Sequence, residues 1–156
     1  MNQSGVDADK ESCSGLPRAA VGAVVRLGDC FLLVKRANSP SKGRWAVPGG
    51  KIKPGETLKE AAQREVLEEA RIVVKALKPV QVFDLIERNI DGSIRFHYII
   101  INLRAQYISG EPVPGGDALE ARWVSRDNLK KYGLSRKTLE LFQESSLCIS
   151  EKHEVP

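Results

Sequence analysis

The stretch TLKEAAQREVLEEA, residues 57–70, constrains this chain more than any other. It is made of strong helix formers without Gly or Pro. Thr57 followed by Glu60 three residues later forms a capping box, which predicts a helix over 58–70. At about 100° per residue, Glu65, Glu68 and Glu69 fall within roughly 80° of Leu58, on the face that also carries Ala61 and Ala62. Lys59, Glu60, Gln63, Leu67 and Arg71 take the other side. Glu65 with Glu69, and Glu65 with Glu68, are like-charge pairs at helical contact spacing and mildly destabilise the helix. Arg64, four residues before Glu68, is the compensating cation. A solvated acidic face is the ordinary explanation of such a cluster. A divalent cation explains why the repulsion is kept, because carboxylate oxygens are preferred ligands of Mg²⁺ and Mn²⁺. The small alanines one turn earlier read as a place where something approaches closely.

The text around this helix is strand-like. Residues 18–27 form an apolar run that ends at the turn signal Gly28-Asp29, and 30–35 returns as the second arm of a hairpin. Residues 38–43 read as loop, 45–47 as a short strand, and 48–56 (PGGKIKPGE) as a flexible loop bearing a further acid, Glu56. Glycines there let main-chain atoms approach a ligand. Two apolar strands, 80–90 and 94–106, join through Asp91-Gly92. Residues 108–118 read as loop, 121–125 as a short strand, 127–131 as a helical turn, and Ser135 as the cap of a last helix reaching about Leu147. Strands around a central helix, with a second helix closing the chain, predict an α/β fold with helices packed on a mixed sheet. Residues 1–16 read as a disordered tail, 17–147 as one domain, and 148–156 as a polar C-terminal tail.

Composition narrows the function. The 156 residues suit one self-sufficient domain. No apolar run approaches the length needed to span a bilayer, and the polar, acidic N-terminus lacks a basic-then-apolar leader. Cys13, Cys30 and Cys148 are odd in number and contain no CxxC pair, which argues against a disulfide framework and for a reducing cytoplasm. The net charge of +4 is spread without a run of like charges. Solvation, with attraction of a small polyanionic substrate, explains it without a nucleic-acid partner.

Together these residues resemble the Nudix hydrolase family, whose signature is G-x5-E-x7-R-E-U-x-E-E-x-G-U with U apolar. Here it reads Gly50, Glu56, Arg64, Glu65, Val66, Glu68, Glu69, Arg71 in place of Gly, and Ile72, so eight of nine specified positions match. Trp45 and Pro48-Gly49-Gly50 extend the likeness upstream, and it covers about 17–147. The resemblance implies an α/β/α sandwich with the signature as a loop–helix–loop, and hydrolysis of a nucleoside diphosphate linked to another moiety. It implies Glu65, Glu68 and Glu69 as metal ligands, with the Gly49 carbonyl beside them. Glu56 would bind metal through water or brace the loop, and Arg64 would orient the glutamates. Arg71 is the departure. Gly at that point normally ends a helix in the left-handed conformation, so either Arg71 adopts that conformation or the helix runs on.

A base must take the proton of the attacking water. Glu65 and Glu68 are candidates on the helix, and Asp117 and Glu120 from the Gly-rich loop region before Trp123. Arg18, Arg36, Arg44 and Lys51 are candidate phosphate partners, with Lys51 and Arg36 favoured as nearest to the loop. Phe83, Phe96, His97 and Tyr98 could stack on a base, although strand aromatics are more often core, and His97 reads as a packed or hydrogen-bonded histidine. The whole-chain pattern is most like the ADP-ribose pyrophosphatase branch, with words such as Phe96-His-Tyr98 and Gly110-Glu-Pro112, and implies AMP and ribose 5-phosphate as products. A mutator-type (d)NTP pyrophosphatase and a non-catalytic nucleotide or RNA binding module are the alternatives. A small-molecule nucleotide partner, no membrane partner, and a homodimer as the common family assembly are implied as well.

Overall fold

The computed structural model describes residues 16–38 and 41–147. The expected N-terminal tail falls outside these residues except for Leu16, and the C-terminal tail falls outside them entirely. Cys30 is a free thiol, whereas Cys13 and Cys148 lie outside the described residues.

Strand β1 (Arg18–Leu27) and strand β2 (Cys30–Arg36) form the expected hairpin about Gly28-Asp29. They pair with each other only at the turn, through Arg26–Phe31 and Leu27–Cys30. Beyond that they separate, and each takes a small partner: β2 pairs with β3 (Trp45–Ala46), and β1 with β4 (Gly49–Lys51). Helix α1 (Leu58–Ala70) follows. Strands β5 (Val73–Arg88) and β6 (Ile94–Ser109) form a long antiparallel hairpin, and β6 lies parallel to β1. Strand β7 (Ala118–Ser125) pairs with β2. A 3-10 segment, Arg126–Tyr132, leads to helix α2 (Arg136–Leu147), where Ser135 Oγ accepts from the Thr138 N–H as expected of a cap.

Six consecutive residues of β1, Ala20–Val25, are buried because both faces of the sheet are covered. On one face Val21, Ala23, Val25, Leu32 and Val34 pack with Ala61, Ala62, Val66 and Ala70 of α1. On the other, Val24, Phe31, Leu33 and Val124 pack with Leu129, Leu134, Leu141 and Phe142. The result is the expected α/β/α sandwich. Ala61 and Ala62 have no exposed surface. They seat α1 closely on the sheet and offer nothing to a ligand, which corrects the reading of the alanines as a ligand approach.

Among the boundaries that depart from expectation, three have local reasons. β5 begins at Val73 rather than 80, because Val74 and Ala76 point into the core in strict alternation. Pro79, which cannot donate to a ladder, sits at register shifts that hide the continuity. β7 begins at Ala118 rather than 121, with a bulge opposite Lys35 and Arg36 that leaves Leu119 without a partner. Gly49–Lys51, expected as loop, is a strand that closes on Ala20–Gly22.

The capping box forms as read: the Thr57 Oγ1 accepts from the Glu60 N–H, and the Glu60 carboxylate accepts from the Thr57 N–H. At the other end Arg71 ends the helix with φ 57° and ψ 23°. It is the only non-glycine residue at positive φ among those described, a conformation that costs an L-residue roughly 1–2 kcal/mol. The loop after β6 then closes over the helix end, with the Val113 N–H donating to the Ala70 carbonyl and the Gly115 N–H to the Glu69 carbonyl. These carbonyls have no partner within the helix.

The substitution T57A removes one side of the capping box. It is expected to lower the unfolding free energy by about 1 kcal/mol, read by urea denaturation, with the far-ultraviolet circular dichroism unchanged.

Candidate active site

The signature residues converge where the second half of α1 meets β4. Arg64 is at the centre. Its Nε and Nη2 form a two-pronged bond to Glu56, at 2.6 and 2.9 Å, and Nη2 also donates to the Lys51 carbonyl at 3.0 Å. Its Nη1 bridges Glu65 at 2.6 Å and Glu68 at 3.2 Å. One guanidinium therefore ties the loop before the helix to two carboxylates on the helix. Glu56 accepts from the Lys53 N–H as well, and these bonds, Arg64 foremost, hold its carboxyl down at about 2. Its contacts are those of a loop brace.

The three helix glutamates differ in environment. Glu68 is half exposed, with 49% of its side-chain surface accessible, whereas Glu65 retains 12%. Glu69 is buried and accepts a 3.0 Å hydrogen bond from the Gly49 N–H. Burial raises the Glu65 carboxyl above its ordinary value despite the opposing effect of Arg64. Burial, reinforced by the charges of Glu65 and Asp117 and opposed by the Gly49 N–H and Arg36, pushes Glu69 up to about 7. Gly50 explains how Glu65 lies so close to β4. A Cβ there would stand 2.5 Å from Glu65 Oε1, so a side chain at 50 displaces the carboxylate.

The remaining predicted residues divide. Asp117 comes to the cluster: its charge acts on both Glu65 and Glu69. The chain just beyond β2 holds it there, through Asn38 Nδ2 on Asp117 Oδ1 at 2.8 Å and the Ala37 N–H on its carbonyl at 2.9 Å. Asn38 was missed by the sequence reading, and no spacing could have found a partner 79 residues away. Glu120 is placed apart. It pairs with Lys35 at 3.1 Å and with Arg122, and these partners, Lys35 first, hold its carboxyl below the ordinary value. Lys35 and Glu120 stand opposite each other, and the alternation along β2 turns them from the α1 side, which receives Leu32 and Val34.

Arg36, one residue on, lies near enough for its charge to act on Glu69. Its Nε is buried without a hydrogen-bond partner among the described residues. Lys51 pairs with Ala20, two residues along β1 from Arg18. Arg44 is exposed in the turn before β3, and its carbonyl accepts from the Arg36 N–H. Phe96 and Tyr98 pack ring to ring at 5.7 Å, Lys137 lies over Phe83, and His97 Nε2 bonds Asp84 Oδ1 at 2.9 Å.

A family profile described as the NUDIX domain matches residues 16–144. The chain belongs to the Nudix hydrolase family. An ADP-ribose pyrophosphatase of Methanocaldococcus jannaschii is 34% identical over 123 residues, covering 79% of this chain and 70% of that relative. The nucleoside triphosphatase NudI of an Enterobacter species is 28% identical over 137 residues, covering 83% of this chain and 97% of the relative. A solved MutT Nudix hydrolase from Burkholderia pseudomallei superposes with a TM-score of 0.70 at 28% identity, covering 83% of this chain and 98% of that one. The protein is thus a Nudix pyrophosphohydrolase acting on nucleotide derivatives. No described helix is long and apolar enough to cross a membrane.

Nudix hydrolases generally use divalent metal ions. The donors gathered here are all carboxylate or carbonyl oxygens, the chemistry suited to Mg²⁺ or Mn²⁺, and two of the carboxylates are desolvated and mutually repulsive. As they stand, no three acids among the described residues converge on one point, because Glu65 and Glu68 share Arg64 while Glu69 turns to Gly49.

Two outcomes follow for the Nudix helix. Glu69 holds its proton more tightly folded than unfolded, so its contribution to stability is complete below about pH 4.5 and is lost as pH rises through 7. In chelator, the unfolding free energy should fall by up to about 3 kcal/mol across that window; E69Q should flatten most of the slope in denaturation curves taken at each pH. The variant G50A should keep its melting temperature within a few degrees but bind Mn²⁺ about tenfold or more weakly in calorimetric titration, because only the end of a flexible side chain must give way.

Proposed function

We propose that this Nudix enzyme hydrolyses the pyrophosphate bond of a nucleoside-diphosphate derivative, with ADP-ribose as substrate and AMP and ribose 5-phosphate as products. The observation that carries the reaction is the pair of desolvated carboxylates, Glu65 and Glu69, set against the Gly49-Gly50 backbone with Asp117 close by. A buried acidic cluster with one shared guanidinium is costly on its own and suits a site completed by cations and a polyanionic substrate. The 34% identity to an ADP-ribose pyrophosphatase supports the choice of substrate.

Glu65, Glu68 and Glu69, with the Gly49 carbonyl, would hold Mg²⁺ or Mn²⁺, while Glu56 and Arg64 brace the loop against the helix. When bound, the cation would offset the charge of the pyrophosphate and lower the pKa of a water. Arg36 would bind a phosphate oxygen, since its buried Nε lacks a partner among the described residues and an anion would satisfy it. Lys51, and Arg18 two residues along β1 from its partner Ala20, would take the outer phosphate or ribose oxygens. Glu68 and Asp117 compete for the role of base: Glu68 is half exposed beside the cluster, and Asp117 has one oxygen fixed by Asn38. Glu120, bound to Lys35 and Arg122, is poorly placed for it.

A mutator-type reading keeps independent support from the NudI relative and the MutT structure, both matched over nearly their full length. Turnover of ADP-ribose, dGTP and oxidised dGTP with Mg²⁺ or Mn²⁺, followed by product chromatography, separates the readings. AMP from ADP-ribose as the preferred reaction supports the proposal. Preferred release of pyrophosphate from a triphosphate replaces it with the mutator reading, and nucleotide binding without turnover replaces both with a binding module.

Within that assay, E68Q is expected to lower kcat by about a hundredfold or more with the fold intact. R36A should raise KM about tenfold with a smaller change in kcat, and an unchanged KM would remove Arg36 from the phosphate site.

A further inference from the structure

Arg71 stands where the Nudix signature has Gly, and it keeps the left-handed backbone that Gly normally supplies. Its side chain has a definite place. Arg71 Nε and Nη2 lie 3.3 and 3.5 Å from the point that a Cβ on Gly115 would occupy. The Glu68 carbonyl stands 2.6 Å from the same point, so only glycine lets the loop come this close to the helix backbone. The guanidinium therefore lies against the loop backbone at the C-terminal end of α1, where the helix carbonyls favour a positive charge.

The same loop delivers Asp117. The Gly115 N–H is bonded to the Glu69 carbonyl, and the Gly115 carbonyl accepts from the Ala118 N–H, so Asp117 sits inside a turn that starts at the contact with Arg71. Its other support comes from Ala37 and Asn38, on a different part of the chain. Asp117 is thus held between two anchors, and Arg71 belongs to one of them.

We propose that Arg71 is a positioning residue that clamps the 110–117 loop onto the end of the Nudix helix and so fixes Asp117 relative to Glu65 and Glu69. The backbone strain at Arg71 is kept because the side chain does what glycine cannot. The consequence for turnover rests on the function proposed above; the clamp itself does not.

The test compares wild type, R71G and R71K. R71G relieves the backbone and removes the guanidinium, so it folds; R71K keeps both a cation and the left-handed residue. Amide hydrogen exchange is read at Val113 and Gly115, whose N–H groups bond the helix end, and at core residues Val24 and Leu32. In R71G the two loop amides should exchange about tenfold faster or more while the core amides are unchanged. Its kcat should fall about tenfold at unchanged KM and unchanged Mn²⁺ affinity, and R71K should recover most of both losses. Unchanged loop exchange in R71G overturns the clamp whatever the activity. Faster exchange with an unchanged kcat overturns the positioning of Asp117. A wild-type protein that turns over none of the nucleotides sinks the proposed reaction and leaves the exchange result to decide the clamp alone.

Discussion

The site depends on one guanidinium. Arg64 meets Glu56, Glu65 and Glu68 together with the Lys51 carbonyl, so a single positive charge faces three negative ones, with Glu69 and Asp117 adding to the imbalance. Its planar fork satisfies several acceptors at fixed angles, which an ammonium would not do. The loop from β4 to α1 and the helix face are held as one rigid piece because they share this residue. The surplus negative charge is then concentrated on Glu65, Glu68 and Glu69.

Around this centre the sheet supplies shape rather than chemistry. β1 and β2 part company beyond their turn, and the opening admits β3 and β4. That places Gly49 and Gly50 flush against α1, one donating to Glu69 and the other leaving room for Glu65. The bulge in β7 opposite Lys35 and Arg36 works at the opposite rim. It separates Asp117, whose charge acts on Glu65 and Glu69, from Glu120, which is turned onto Lys35. Bulges commonly re-aim side chains beside active sites in this way.

What could be read from the sequence was local. The helix, its capping box, the Gly28-Asp29 and Asp91-Gly92 turns and the signature acids all follow from residues within a few positions of each other. What could not be read was long-range. Asn38 holding Asp117, and Gly115 bonded to the helix end, join segments with no shared periodicity. The continuity of β5 through Pro79 and the early start of β7 depend on partner strands that tolerate irregular register. The alanines of α1 misled because small size serves tight helix–sheet packing as well as ligand access, and only the burial distinguishes them. Arg71 was legible as a departure, but whether the helix ended there was settled by the loop packed over it.

The parallel pairing of β1 with β6 has a kinetic consequence. Arg18 lies beside Tyr98 and Arg26 beside Gln106, so the central ladder closes a loop of about 80 residues. The β5–β6 hairpin can zip from its own turn, whereas β1 and β2 pair only beside theirs, and neither pair can seat α1 alone, since the helix packs on residues of both. Chain closure of this kind slows folding more than local pairing does. During synthesis the part of the glutamate-bearing helix that packs on β5 and β6 must therefore stay uncovered until the chain has emerged past β6.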